Sequence, residues 1–406
     1  MFELDEQTQM VATMVRQWCQ SQLAPKIPVL ETGAEQPFEL MKKMAKTFGF
    51  DAMLGSSVKK RIAKLRAPGG EVADDGDRQL AKGIGSPMMM HVVVKELSRV
   101  SPGFAMGFGV SMGLVGGAIV AKGTADQIER WGLPVATLQQ IGSWCLTEPA
   151  AGSDAFGSMR TTATADGGGG YVLKGSKTFI TNGPGADVFL VYAKIGDGVG
   201  TFIVERTMPG VTVGPPFKKM GMRDSPTSEV FFDDVKLGTE HLLGGKEKGR
   251  AGRTDTKDSL GNERSGIPAM AWGIIERCYD ASLAYVRERQ QFGRPIGAFQ
   301  AVQLHIADLY LKLRTVESVV YRTAWMQQKG VRDMPFINAS KAMCAQYAVD
   351  CALKAIQIHG GYGYMEELGL EKLARDSKLL ELGAGTTDIN LLAAARELIG
   401  VEATAP

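Results

Sequence analysis

A change of periodicity divides this chain into three and constrains its fold more than any other feature. Between Asp5 and Phe50 the apolar residues Met10, Val11, Met14, Val15 and Trp18 recur at helical spacing, and a second helical run starts near Pro87 and continues past Val94, Leu97 and Val100. From Gln140 to about Leu243 the texture becomes short β-branched runs, Phe189-Leu-Val-Tyr-Ala, Thr201-Phe-Ile-Val and Glu229-Val-Phe-Phe, cut by Gly, Pro, Asn and Asp. A polar stretch, Arg250 to Asn262, then leads into helical patterns over Pro268 to Gln290, Gln300 to Gln328, Met334 to Gly360 and Asp388 to Ile399. The expectation is an α+β chain in the order α–β–α: a helical domain over residues 1–139, a β domain over 140–248 and a helical bundle over 249–406. Ser56 to Gly85, rich in Gly, Asp, Lys and Arg, gives no clear pattern.

At 406 residues and 44% apolar content the chain can bury a large core. Its net charge of +2 argues against a broad footprint for nucleic acid or an anionic membrane. The local cluster Lys59, Lys60, Arg61, Lys64 and Arg66 reads as a solvated helix face. Five cysteines without a C-x-x-C pair indicate neither zinc nor a disulfide framework, and the four histidines show no metal-ligand spacing, so no metal is expected. No basic segment followed by an apolar run opens the sequence, and no uncharged stretch is long enough to span a bilayer. These features lead us to expect a soluble, cytoplasmic protein.

Five motifs stand out: Trp144-Cys-Leu-Thr-Glu-Pro-Ala-Ala-Gly-Ser-Asp154; Lys177-Thr-Phe-Ile-Thr-Asn-Gly183; Arg289-Gln-Gln-Phe-Gly293 with Gln300; Gln357-Ile-His-Gly-Gly-Tyr-Gly363, followed by Arg375-Asp376; and Leu380-Glu-Leu-Gly-Ala-Gly-Thr-Thr-Asp-Ile389. Taken singly, Thr-Asn-Gly is a turn, Gly360-Gly361 a helix end and Phe292 a packing residue. Together, in this order and spacing, they resemble the acyl-CoA dehydrogenase family, most nearly its isovaleryl-CoA and long-chain members. The resemblance implies an N-terminal α-helical domain, a central β-barrel-like domain and a C-terminal four-helix bundle. It also implies FAD as cofactor, an acyl-CoA substrate, an electron-transferring flavoprotein as acceptor, and a homotetramer built as a dimer of dimers. By the same resemblance Thr147, Gly152 and Ser153 belong at the isoalloxazine and pyrophosphate region, with Phe179 and Thr181 at the ring face. Arg289, Phe292, Gln300, Gln357 and Gly361 contact the adenosine half from a neighbouring subunit, and Thr386 and Asp388 sit beside the cofactor.

Oxidising a saturated acyl thioester needs a base for the α-proton, a flavin to take the β-hydrogen as hydride, and donors that hold the thioester carbonyl. Many members of the family carry the base immediately before the Gly-Thr of the last motif, where this chain has Ala384. Isovaleryl-type members carry it before an arginine at the start of a C-terminal helix, a position matched here by Glu263-Arg264. The gap to Phe292-Gly293 agrees, and Gly-Ala-Gly-Thr is itself the isovaleryl-type version of the last motif. The resemblance therefore implies Glu263 as base, the Ala384 N–H and a flavin ribityl hydroxyl on the carbonyl, and Ser153 and Arg264 near the substrate. The plain alternative for Glu263 is a first-turn glutamate after an Asn262 cap, in a helix that becomes regular near Pro268.

Small residues at Ala105 and Gly109, where medium-chain relatives carry larger polar ones, point to a branched, cyclic or long acyl group. Close helix packing at Gly107, Gly109 and Gly113 is the competing explanation. Gly109-Val-Ser-Met-Gly113 also matches a serine-hydrolase elbow, but its helical flank argues for coincidence. Rivals within the fold are an enoyl-CoA reductase, a desulfinase and an oxidase; the rival from another class is a nucleic-acid-associated flavoprotein, favoured only by the Lys59 to Arg66 cluster.

Overall fold

The computed structural model describes residues 3–68, 86–245 and 251–401, the last without side chains for 251–263. The N-terminal region comprises α1 (Glu6–Trp18), α2 (Phe38–Thr47), α3 (Phe50–Arg66), α4 (Pro87–Ser98) and α5 (Pro102–Phe108). Two of these start with the same device. Ser86 and Ser101 each accept a hydrogen bond from a backbone N–H three residues on, at 3.2 and 2.9 Å, and each is followed by a proline whose fixed φ and missing N–H suit the first helical position. Beyond α5 the chain widens into a π-helical stretch, Gly109–Gly116.

The cationic cluster lies on α3, and part of it is consumed inside the fold. Arg61 is buried and donates to the Ala121 carbonyl, while Arg66 pairs with Asp126 and Glu129 at 2.7 and 2.8 Å. Lys59, Lys60 and Lys64 remain exposed.

The middle of the chain forms β1 (Gly142–Cys145), β2 (Thr162–Ala165), β3 (Tyr171–Thr181), β4 (Val188–Ile195), β5 (Gly198–Glu205), β6 (Val211–Val213) and β7 (Thr227–Leu237). They make one mixed sheet in the order β1-β4-β2-β3-β7-β6, with β5 also on β4. The barrel-like expectation becomes an open sheet here: β5 and β6 do not pair with each other, so no barrel closes among the described residues. β1 runs parallel to β4, so Ser143 to Cys145 lie beside Phe189 to Val191, and the first motif leaves the sheet next to β3.

The C-terminal region comprises α6 (Ala251–Glu288), a small hairpin of β8 (Gln290–Gln291) and β9 (Arg294–Pro295), then α7 (Gln300–Lys329), α8 (Met334–His359), α9 (Leu370–Leu382) and α10 (Thr387–Ile399). α8 packs on α6, α7, α9 and α10, so α9, which the periodicity did not separate, joins the four expected helices. Helices from before and after the sheet share one apolar core, in which Trp18, Leu97, Phe104 and Phe108 meet Ile267, Ile274, Leu313 and Ala348. The sheet has its own core around Leu173, Phe189, Phe202 and Val230.

α6 corrects one expectation. It starts at Ala251, runs through the polar stretch and continues past Pro268, so Glu263 is not a first-turn residue and Asn262 is not its cap. Residues 251–262 offer no apolar stripe, which is why periodicity could not reveal a helix there.

Candidate active site

The turn between α9 and α10 holds Ala384, Gly385 and Thr386 against three other side chains. Ala384 and Gly385 are both left-handed, with φ of 56° and 86°. For alanine that conformation is strained and persists only where the surroundings over-determine it. They do so here through the carbonyls. Arg264 Nε, on α6, donates to the Ala384 carbonyl at 3.1 Å. Lys341 Nζ, on α8, donates to the Gly385 carbonyl at 2.6 Å, and Asn390 Nδ2, on α10, reaches the carbonyls of 384, 385 and 386 at 3.4, 2.7 and 2.9 Å. Arg264 is itself held by Asn338 Oδ1 at 2.9 Å. Carbonyl and N–H point oppositely in a trans peptide, so this clamp turns the N–H groups of Gly385 and Thr386 away from the helices. The N–H groups of Ala384, Gly385 and Thr386 meet no acceptor among the described residues. Thr386 caps α10 by accepting from the Ile389 N–H at 3.3 Å, and Asp388 is exposed in the first turn.

The backbone of Glu263 is helical and directly precedes Arg264, which places position 263 beside this turn. Its side chain lies outside the described residues. One residue past Arg264, Ser265 Oγ accepts from Gln327 Nε2 at 3.2 Å, and Gln327 Oε1 in turn meets His91 Nε2 at 2.9 Å. Burial pushes the His91 imidazole down to about 4, so it is neutral near pH 7.

On the sheet, the first two motifs are joined. The Thr178 N–H donates to the Thr147 carbonyl at 2.9 Å, and buried Glu148 accepts from Lys177 Nζ at 2.8 Å and from the N–H groups of Arg160 and Thr161 at 2.6 and 3.0 Å. Burial alone raises the Glu148 carboxyl, but Lys177 and these donors bring it below the ordinary carboxylate range. Phe179 is left-handed at φ 57° and 67% exposed, with its ring on Phe217. Thr181 is half-buried beside it, and Gly152 and Ser153 are exposed on the loop that follows Thr147.

Asn182 links this face to the helical wall, donating through Nδ2 to the carbonyls of Gly107 and Gly142 at 2.8 and 3.2 Å. The glycines of that wall divide. A Cβ on Gly107 would fall 2.7 Å from Met41 Cε and 2.8 Å from Asn182 Oδ1, so that glycine is there for packing. A Cβ on Gly109 would meet nothing within 4 Å, so open space lies there. Ala105, four residues before it, is buried. Ser111, the elbow candidate, is buried in the π-helical stretch with its Oγ accepting from the Gly142 N–H at 2.9 Å, so it is no nucleophile.

At the far end of α8, Arg289, Gln357 and Gly361 line one cleft of about 500 Å³ together with Tyr285, Ile296 and Tyr362. The Arg289 guanidinium lies over the Tyr362 ring at 5.6 Å. Phe292 and Gln300 stand outside this cleft. Phe292 is 92% exposed at the tip of the hairpin, and Gln300 is exposed where α7 begins. No hydrogen bond or ring contact joins the cleft to the Ala384 turn among the described residues.

Sequence reasoning missed the clamp residues Asn338, Lys341 and Asn390, and it missed Asn182. A lysine inside the apolar helical run Ala339 to Ala345 was the available signal for Lys341. The acidic trio Glu31, Asp224 and Asp376 is not an open cation site, because Lys372 Nζ sits among the three at 3.3, 3.4 and 2.5 Å. The expectation that no uncharged stretch could span a bilayer is corrected by Pro102–Lys122, which is long and apolar enough to do so, although 78% of its most apolar part is buried as a core segment.

Three domain models of one family match in sequence: the acyl-CoA dehydrogenase N-terminal domain over 81–139, the middle domain over 143–235 and the C-terminal domain over 250–399. A probable acyl-CoA dehydrogenase of Bacillus subtilis is 34% identical over 98% of this chain and 99% of its own length. The mitochondrial isovaleryl-CoA dehydrogenase of Arabidopsis thaliana is 36% identical over 79% of this chain and 78% of its own. A glutaryl-CoA dehydrogenase from Mycobacterium smegmatis, solved in complex with FADH2, superposes with a TM-score of 0.85 at 27% identity, covering 99% and 97% of the two chains. A three-part α–β–α flavoenzyme is the class that fold and site define. The chain belongs to the acyl-CoA dehydrogenase family, and it is an oxidoreductase with FAD as cofactor. Its residues fit that cofactor: Phe179 offers an exposed ring, the Ala384 turn has N–H groups to donate, and the Arg289 cleft combines a cation with an amide and a glycine backbone.

Proposed function

We propose that this enzyme converts an acyl-CoA to the trans-2-enoyl-CoA, with Glu263 as the α-proton base. The observation that carries this reading is the bond from Arg264 Nε to the Ala384 carbonyl, 3.1 Å long, which sets the residue after Glu263 against the turn where other family members keep their carboxylate. Two positions 121 residues apart in sequence thus border one site. Bound FAD supplies the acceptor for the β-hydrogen. The chain supplies the rest. Glu263 takes the α-proton, and the Ala384 N–H donates to the thioester carbonyl as charge develops on it. Arg264 and Ser153 stand at the substrate. Thr147, Gly152, Ser153, Phe179, Thr181, Thr386 and Asp388 face the flavin of their own subunit. Arg289, Phe292, Gln300, Gln357 and Gly361 serve the adenosine half across a subunit boundary in a homotetramer. The open space at Gly109, together with the small side chain of Ala105, suits a branched, cyclic or long acyl group. An electron-transferring flavoprotein takes the electrons, and the enzyme works in acyl-CoA β-oxidation in the cytoplasm.

Anaerobic titration of the purified holoenzyme with a panel of acyl-CoAs tests this directly. Saturated branched, cyclic or long acyl-CoAs should bleach the flavin. If enoyl-CoAs reoxidised the reduced enzyme while no saturated acyl-CoA reduced it, the reaction would run as a reductase instead.

A further inference from the structure

We infer that Lys341 is a positioning residue for the reaction, and that its ammonium holds the strained Ala384 turn in the form that presents the Ala384 N–H to the thioester carbonyl. The inference rests on the proposed role of that N–H. Lys341 is fully buried on α8, in a run of small and apolar residues where an ammonium is costly to place. Its Nζ lies 2.6 Å from the Gly385 carbonyl. That carbonyl already has a neutral donor in Asn390 Nδ2 at 2.7 Å, so satisfying a buried acceptor does not by itself require a lysine.

What does require a strong donor is the backbone around it. A left-handed alanine ahead of a left-handed glycine is strained at the alanine and relaxes unless something outside the turn opposes it. A charged donor in a low-dielectric surrounding is the stronger restraint, and it acts on the middle of the three clamped carbonyls. Arg264 restrains the carbonyl before it, so the two cations fix two consecutive peptide planes from the helix side. The Ala384 N–H belongs to the peptide before them, and with the Ala384 φ held at 56° the orientation of these planes sets its direction too; no acceptor within the described residues holds that N–H.

The test uses FAD-loaded Lys341→Met, which keeps the side chain out to Cε, removes the ammonium and leaves the Gly385 carbonyl its bond from Asn390. The isotope-edited infrared stretch of octenoyl-CoA labelled at the thioester carbonyl, bound to the oxidised enzyme, reads how strongly that carbonyl is held. Wild type should lower this stretch below its value for the free thioester in buffer. Lys341→Met should lose most of the lowering, and its flavin reduction should slow about 10–100-fold with FAD still bound, the scale of effect expected from small misplacement of a reacting group. Adding Ala384→Gly should return part of the rate and of the lowering, since glycine accepts the left-handed form without a Cβ. If Lys341→Met kept both the lowered stretch and the wild-type rate, Lys341 would have no positioning role and the proposed function would stand. If wild type itself showed no lowering, the Ala384 N–H would not hold the carbonyl and both would fall. Should Lys341→Met fail to fold, Lys341→Leu, which likewise carries no donor, is read in the same way.

Discussion

The Ala384 turn and the Phe292 hairpin use the same backbone and put it to opposite uses. Each pairs a left-handed non-glycine residue with a left-handed glycine: Ala384 and Gly385 at 56° and 86°, Phe292 and Gly293 at 52° and 74°. At Ala384 the chain itself opposes the strain, with Arg264, Lys341 and Asn390 on three consecutive carbonyls. At Phe292 the strain belongs to a two-residue turn closed by the pairing of Gln291 with Arg294, a shape that normally takes Asn-Gly. Its phenylalanine is 92% exposed and touches Phe299 alone among the ring contacts. One region is complete within the chain. The other holds an aromatic ring out at a position where a smaller polar residue would suit the turn better, which fits the proposal that it meets the cofactor of a neighbouring subunit.

Three measurements press on that contrast. The largest effect should come from the interior region. His91 is neutral in the folded protein with its imidazole at about 4 and takes a proton near pH 6.5 when unfolded, so the unfolded state binds more protons between these values. Stability should therefore fall as pH drops from about 6.5 to about 4, by up to about 3 kcal/mol from this group, and change no further from it below pH 4. Urea unfolding of wild type and His91→Gln across that range should show curves that diverge by this amount; parallel curves would mean His91 is solvated. Next, Gly109→Glu fills the open space beside the helical wall. It should lower kcat/KM for the bulkiest acyl-CoAs by the equivalent of about 1–3 kcal/mol, with butyryl-CoA least affected. A uniform loss across chain lengths would detach Gly109 from the acyl group. The smallest effect belongs to the exposed region: Phe292→Asn supplies a residue the turn prefers, so Tm should hold or rise slightly while FAD retention on gel filtration falls about tenfold, or 1.4 kcal/mol. Unchanged FAD affinity would remove Phe292 from the cofactor, and Arg289→Ala, which should weaken both FAD retention and assembly, would then carry that side of the account alone.

Much of this was legible before the structure. The three-part order followed from the switch between helical and alternating periodicity, and α7, α8 and α10 lie within a residue or two of their apolar patterns. α6 was read short because residues 251–262 are polar throughout and because Pro268 looked like a boundary rather than a helical residue. α9 escaped because charged residues such as Glu371, Lys372, Arg375 and Asp376 interrupt its stripe, and several of them are buried in ion pairs that no sequence pattern announces. The candidate site divides in the same way. Phe179, Ala384 and Phe292 were readable from motifs, and their left-handed backbone could not be. The clamp on Ala384 comes from residues 264, 338, 341 and 390, a separation that only the packing of α6, α8 and α10 closes.

The central claim is that the carboxylate absent from position 384 stands at position 263. Glu263→Gln keeps the shape and removes the basicity, so stopped-flow reduction of the bound flavin by acyl-CoA should slow by about 10²–10⁴-fold while FAD stays bound. Glu263→Gly combined with Ala384→Glu should recover part of that rate, since Ala384 already bears a Cβ at φ 56° and a glutamate there adds no new backbone strain. Reduction of the Glu263→Gln enzyme within about threefold of wild type, where loss of a general base should cost at least 10²-fold, would contradict the claim.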